Sequence, residues 1–152
     1  MAKILICFAS TTGNTEQIAD LLQSYLEEEG HLVFIEDVME IDPTYISGYD
    51  ATFIGTYTWD DGDLPFEIED FYEELEEEDL TGIPVGVFGS GDTSYNHFCG
   101  AVDTIQERVR QCGATLIADG LKIEMNPSDE EDESKCRSFA QKLTNHLSEI
   151  SV

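Results

Sequence analysis

The segment Ile4-Leu5-Ile6-Cys7-Phe8-Ala9-Ser10-Thr11-Thr12-Gly13-Asn14-Thr15-Glu16 decides the fold. Its first six residues form an unbroken apolar run, the pattern of a strand buried on both faces. Beyond it Ile18, Ala19, Leu21, Leu22, Tyr25 and Leu26 recur at helical spacing. A loop of hydroxyls, one glycine and an asparagine therefore stands where a strand hands over to a helix N-terminus. Backbone N–H groups and the positive end of a helix dipole converge at such a place, which suits an anion and above all a phosphate. Ser, Thr and Asn are also the ordinary capping and turn residues, so the loop alone leaves a plain helix cap open.

What the loop lacks narrows its chemistry. It has no Lys or Arg, so the nucleotide-hydrolase pattern with Lys beside Ser or Thr at the helix start is absent. Gly13 is its single glycine, too few for the dinucleotide fingerprint. A phosphatase loop of the low-molecular-weight type needs Arg six residues after its Cys, and Gly13 holds that place after Cys7. The loop is suited to binding phosphate with neutral donors, not to reacting with it.

The rest of the chain repeats the strand-then-helix pattern. Gly30 reads as the C-cap of the first helix. His31–Ile35 and Ala51–Tyr57 read as the second and third strands, with Asp37 to Gly48 as a connection that turns or starts a helix at Asp42-Pro43. Phe66, Ile68, Phe71, Tyr72 and Leu75 mark a second helix, Pro84–Gly89 a fourth strand, and Val102, Ile105 and Val109 a third helix. Thr115–Ile117 and Leu121–Ile123 read as one fifth strand, interrupted near Asp119-Gly120. Ser128 is the expected cap of a last helix with Phe139, Leu143, Leu147 and Ile150 inward. Strand and helix alternating five times imply an α/β fold, an open doubly wound five-stranded parallel sheet with helices on both faces. At 152 residues the chain is expected to form one domain, 1–152.

Composition bounds the partners. Seven basic residues stand against 33 acidic ones, a formal net charge of -26. Nucleic acid and anionic membrane surfaces are disfavoured, since both are gripped by basic patches. A basic protein partner is favoured, although a salt-tolerant surface would look the same. Met1-Ala2-Lys3 runs straight into the first strand, so no leader is expected, and no apolar run reaches membrane-spanning length. Cys7, Cys99, Cys112 and Cys136 are scattered, which reads as reduced thiols in a cytoplasm. His31, His97 and His146 form no ligand set, so no metal site is expected.

In a doubly wound sheet, ligands sit at the carboxyl ends of the strands. Three loops emerge there: Ser10–Thr15, Thr56–Gly62 and Ser90–Gly100. The second carries Trp59 and the third Tyr95, aromatics placed in polar loops. Each could cover the edge of the core. Together they could close on the two faces of a flat conjugated ring, and phosphate plus flat ring points to FMN.

The stretches Ser10-Thr11-Thr12-Gly13-Asn14-Thr15-Glu16, Thr58-Trp59 and Gly91-Asp92-Thr93-Ser94-Tyr95-Asn96-His97-Phe98-Cys99-Gly100-Ala101-Val102-Asp103 resemble the three FMN loops of the flavodoxins. The resemblance runs from first strand to last helix. With no long insertion between Leu116 and Ile123, it is to the short-chain members. It implies the strand order 2-1-3-4-5 and a non-covalently bound FMN. Ser10, Thr11, Thr12, Gly13, Asn14 and Thr15 would hold the phosphate, with Thr58 near the phosphate or ribityl chain. Trp59 would lie on the inner ring face and Tyr95 on the outer. Thr56, Tyr57, Asp60, Ser90, Gly91, Asp92, Asn96, Phe98 and Cys99 complete the expected site, with backbone near Asp92 and Cys99 meeting the pyrimidine edge. Cys7 and Cys112 would pack in the core.

The function implied is a monomeric, cytoplasmic, low-potential one-electron carrier. It would take electrons from a reductase of the flavodoxin/ferredoxin NADP type, or from a ferredoxin-type donor, and pass them to acceptor oxidoreductases. No catalytic acid, base or nucleophile set is visible, so the chain reads as a carrier and not an enzyme. An FMN-dependent reductase, a smaller flavodoxin-like activator and a receiver-type signalling domain are the alternatives. Tyr95 over the ring, the aromatic pair, and Ser10-Thr11 in place of clustered acids argue against them in turn.

Many flavodoxins place a glycine after the Trp-type residue, whose peptide flips on reduction so that its carbonyl meets the flavin N5. This chain has Asp60 there. A non-glycine residue costs about 1 kcal/mol in some turn conformers. Replacing Asp60 with Gly is therefore expected to raise the yield of one-electron-reduced flavin in a reductive titration; an unchanged or lower yield would count against this reading.

Overall fold

The order of polar and apolar runs becomes a stack of parallel strands with helices packed on either side. The computed structural model describes residues 2–9, 13–58, 62–92, 98–125, 127 and 129–150, with side chains as far as 147. Strand β1 (Lys3–Phe8) leads into helix α1 (Asn14–Glu28), then β2 (Leu32–Asp37), a 3₁₀ helix (Pro43–Gly48) and β3 (Ala51–Tyr57). Helix α2 (Phe66–Leu75), β4 (Pro84–Gly91), α3 (Gly100–Gln111), β5 (Thr115–Leu116), β6 (Leu121–Glu124) and α4 (Glu130–Ile150) follow. The sheet order is β2-β1-β3-β4-β5, with β6 also paired to β4. All five strand pairings are parallel. The expected order 2-1-3-4-5 is therefore the one observed.

Side chains of β1 alternate between two cores, as strand geometry requires. Ile4, Ile6 and Phe8 pack with Ile18, Leu22 and Leu26 of α1 and with Phe139 and Leu143 of α4. Leu5 and Cys7 face the other way, toward Ile68 and Phe71 of α2, Ile105 and Val109 of α3, and Ile46 of the 3₁₀ helix. Burial on both faces is why Ile4–Ala9 shows no polar alternation. Phe139, Leu143 and Leu147 point inward as the periodicity predicts. Among the described residues no helix is long and apolar enough to cross a membrane.

Gly30 ends α1 as its sequence position predicts. It sits at φ 90, and a Schellman pair of bonds forms, Gly30 N–H to Glu27 O and His31 N–H to Leu26 O. Cys7 is buried as expected, whereas Cys112 is only partly buried at the end of α3, its thiol donating to Leu75 O at 3.1 Å. The cap assigned to Ser128 falls outside the described residues. Asp129 performs the capping contact on α4, its Oδ1 accepting from Asp132 N at 2.8 Å.

Two expected features, the turn or helix start at Asp42-Pro43 and the interruption of the last strand, take a definite form. The crossover between β2 and β3 carries one 3₁₀ helix and not a full α-helix. Pro43 opens it while Asp42 Oδ1 accepts from Thr44 N at 2.9 Å, and six residues cannot complete an α-helical crossover. The fifth strand is two strands. β5 pairs with Pro84 and Val85, and β6 with Phe88 to Gly91, so the four residues between Leu116 and Leu121 stand against the two between Val85 and Phe88. The excess bows out at a bend over Ala118 and Asp119.

His31 fastens the start of β2 to two other segments. Its Nδ1 accepts from Ala2 N–H at 3.2 Å and its Nε2 lies 3.2 Å from Thr144 Oγ1 on α4. Burial holds its pKa below the usual 6.5, and a protonated Nδ1 could not accept from Ala2. A depressed folded-state pKa gives stability that is complete above about 6.5 and is lost as pH falls through the folded value. Wild-type protein should therefore lose more stability than His31→Asn between pH 7.5 and 5, read as the shift in urea midpoint. Parallel pH profiles would refute the assignment.

Candidate cofactor site

β1 pairs with β2 on one side and β3 on the other, while α1 and the following crossovers leave in different directions. The crevice outside the carboxyl ends of β1 and β3 is thus the switch point of the sheet, where doubly wound folds hold their ligands. The three loops singled out above follow β1, β3 and β4 and meet at this edge. Ser10, Thr11, Thr12, Trp59, Asp60, Tyr95 and Asn96 lie outside the described residues. The flanks of all three loops are described and show how the crevice is built.

At the first loop, Gly13 is the N-cap of α1 with φ 87, and no side chain among the described residues caps the helix. The first-turn N–H groups therefore face out of the helix end. Asn14 and Thr15 open the helix. Thr15 is fully buried, and its Oγ1 lies 2.9 Å from the buried Oγ of Ser90.

Ser90 belongs to β4, which runs two residues beyond its expected end at Gly89. Its carbonyl accepts from Thr58 N at 3.1 Å, and Thr58 Oγ1 accepts from Ala101 N at 3.2 Å. One chain of hydrogen bonds thus runs from the first loop through the third to the second and on to α3. In the second loop Thr56 is buried, and Tyr57 turns its hydroxyl to a Glu67 carboxylate oxygen on α2 at 2.6 Å.

At the third loop Gly91 must be glycine, because a Cβ there would stand 2.9 Å from Cys99 Sγ and 3.1 Å from Cys99 N. Gly91 O accepts from Met125 N at 2.8 Å, joining the loop to β6. Phe98 is half-buried and packs against the α2–α3 core. Cys99 is the N-cap of α3 at φ 53, with a buried side chain. Burial pushes its thiol up to about 12, so it stays protonated at neutral pH and acts as packing, not as a nucleophile. Asp92 stands at the end of β4 beside these residues.

Several neighbours of the site could not be read from the sequence. No Lys or Arg occurs from Ile4 to Glu107; of the later cations, Lys122 reaches the first turn of α3, whereas Arg108 sits in that helix's last turn, at the far end from the crevice. Lys122 Nζ lies 2.8 Å from Asp103 Oδ2 in the first turn of α3. Arg108 lies 3.9 Å from the Tyr72 ring centroid and donates to Tyr72 O at 2.9 Å. Lys122 is ion-paired, whereas the partners of Arg108 are neutral groups of Tyr72. Glu67, as partner of Tyr57, and Met125, half-exposed at φ 57 beside Gly91, carry no sequence signal of their own. No group of three or more metal-ligating side chains occurs among the described residues. Buried hydroxyls, a helix start with no side-chain cap among the described residues and a left-handed turn fit a phosphate held by neutral donors.

A flavodoxin family model matches residues 6–139. The probable flavodoxin 2 of Bacillus subtilis is 45% identical over 146 residues, covering 93% of this chain and 97% of that protein. The crystal structure of oxidised flavodoxin 2 from Bacillus cereus superposes with a TM-score of 0.92 at 49% identity, covering 95% of this chain and 99% of that one. A short-chain flavodoxin associated with a non-canonical PDU bacterial microcompartment gives the same TM-score of 0.92 at 32% identity, covering 96% and 99%. Because the likeness spans the whole sheet and the strand order agrees, the chain belongs to the flavodoxin family.

Proposed function

We propose that the chain is a single-domain, non-covalent FMN carrier that moves single electrons at low potential between soluble redox proteins of the cytoplasm. The observation that carries this reading is the meeting of a helix N-terminus, opened by the left-handed Gly13, with two further strand-end loops at the switch point, all joined through Thr15, Ser90 and Thr58. FMN bound there supplies the redox chemistry; the protein binds, orients and shields it. Ser10, Thr11, Thr12, Asn14 and Thr15 hold the phosphate. Trp59 and Tyr95 exclude water from the ring faces. Backbone around Thr56, Tyr57, Asp60, Gly91, Asp92, Asn96, Phe98 and Cys99 shapes the rest of the cradle.

Charge supports a low potential. Lys122 is ion-paired with Asp103, and Arg108 stands in the last turn of α3, away from the helix starts that face the crevice, so neither offsets negative charge gathered at the ring. Added electrons then meet an unneutralised phosphate and surrounding carboxylates, and like charges oppose further reduction. The partners are basic proteins, a reductase of the flavodoxin/ferredoxin NADP type and acceptor oxidoreductases. Beside the second loop Phe66, Met39 and Tyr45 are exposed around a hollow that Glu40, Asp42, Glu67, Asp70 and Glu74 also line. Apolar contact ringed by acids suits a partner surface that presents Lys and Arg.

Adding FMN to the cofactor-free protein should produce a yellow, tightly bound form. Thr12→Val with Thr15→Val removes two hydroxyls from a charged phosphate and should raise the FMN dissociation constant by roughly 100-fold or more. A wild-type chain that stays colourless with FMN would overturn the reading. Electron transfer to a basic acceptor should slow steeply between about 10 mM and 300 mM salt as screening shortens the reach of the acids. A salt-independent rate would remove the acidic surface from the docking role.

A further inference from the structure

Resting on the FMN reading above, we infer that Ser90 is a positioning residue that makes the site selective for a phosphate-bearing flavin by setting the hydroxyl of Thr15 as a donor. The two oxygens are 2.9 Å apart. Thr15 is fully buried and Ser90 is 2% exposed. Thr15 is the second residue of α1, directly after Asn14, so it lies in the turn whose N–H groups face the crevice.

Each hydroxyl has one proton and two lone pairs. If Thr15 gives its proton to Ser90, it can offer an incoming phosphate only lone pairs. Phosphate oxygens at neutral pH are acceptors, so that orientation is repulsive. If Ser90 gives its proton to Thr15, the Thr15 O–H is free to donate to a phosphate oxygen. Burial keeps water from replacing either partner, so the orientation of one hydroxyl fixes that of the other. Ser90 itself is held from the backbone side, where its carbonyl accepts from Thr58 N at 3.1 Å. It acts through Thr15 and needs no contact of its own with the phosphate.

The test compares FMN with riboflavin, which has the same ring and no phosphate, by titrating cofactor-free protein. Ser90→Ala should raise the dissociation constant for FMN about 10-fold, the scale of one hydrogen bond to a charged group, and that for riboflavin less than about twofold. Ser90→Cys, which fills the same space with a weak donor, should lose most of the same FMN affinity. In a Thr15→Val background Ser90→Ala should add little. Inorganic phosphate should raise the melting temperature of the cofactor-free wild type and do so less for Ser90→Cys.

Equal losses for FMN and riboflavin, full FMN affinity in Ser90→Cys, or a penalty that persists without the Thr15 hydroxyl would each overturn the role given to Ser90. Those results require a wild type that binds FMN, so they leave the cofactor reading standing. A wild type that takes up neither FMN nor phosphate would overturn that reading, and this one with it.

Discussion

Parallel pairing is the constraint on which the rest of the structure depends. Each strand runs the same way as its neighbour, so every connection must cross back over the sheet, and each crossover covers a face. Burial on both faces follows, and with it the unbroken apolar runs of β1, β3 and β4. A second consequence is directional. All strand-to-helix turns fall on one edge, and all the helix-to-strand turns on the other. Residues separated by 75 positions, such as Thr15 and Ser90, become hydrogen-bond partners because their strands end side by side.

The same geometry sorts the charge. Lys3 stands at the amino end of β1, its Nζ 4.8 Å from the Tyr49 ring centroid, away from the ligand edge. The remaining basic residues lie from Arg108 onward, in α3, β6 and α4. The first two strand-end loops and α2 therefore lie in a field set by carboxylates. Of the cations from later in the chain, Lys122 comes near the ligand edge, with Asp103 as its partner. An uneven distribution of this kind orients the molecule before contact.

Most of the fold was legible because it rests on periodicity. Ile4–Ala9 could only be a doubly buried strand, Gly30 a left-handed helix stop, and Phe139, Leu143 and Leu147 the inner face of α4. What escaped depends on neighbours distant in sequence. β4 reaches Gly91 because β6 pairs with it there, and nothing in Ser90-Gly91 announces a strand. The 3₁₀ helix stands where Asp42-Pro43 offered either a turn or a helix start, and only the structure decides between them. The site was legible as residue types and as three loops. Its internal wiring was not, because a hydroxyl such as that of Thr15 looks the same whether it faces solvent, phosphate or Ser90. The approach of Lys122 to Asp103 likewise depends on a register that only the assembled sheet supplies.

The division of the last strand bears on how the molecule behaves in a crowd. β5 and β6 form one margin of the sheet, where unpaired N–H and C=O groups invite a second molecule to add its own strand. Here that margin is two residues, a break of four, then four residues that include the charged Lys122. No continuous run is presented long enough to template another chain. The opposite margin, β2, ends in Glu36 and Asp37, whose charges would face their own copies in any such pairing. A sheet open on both sides thereby resists edge-to-edge aggregation without a covering element.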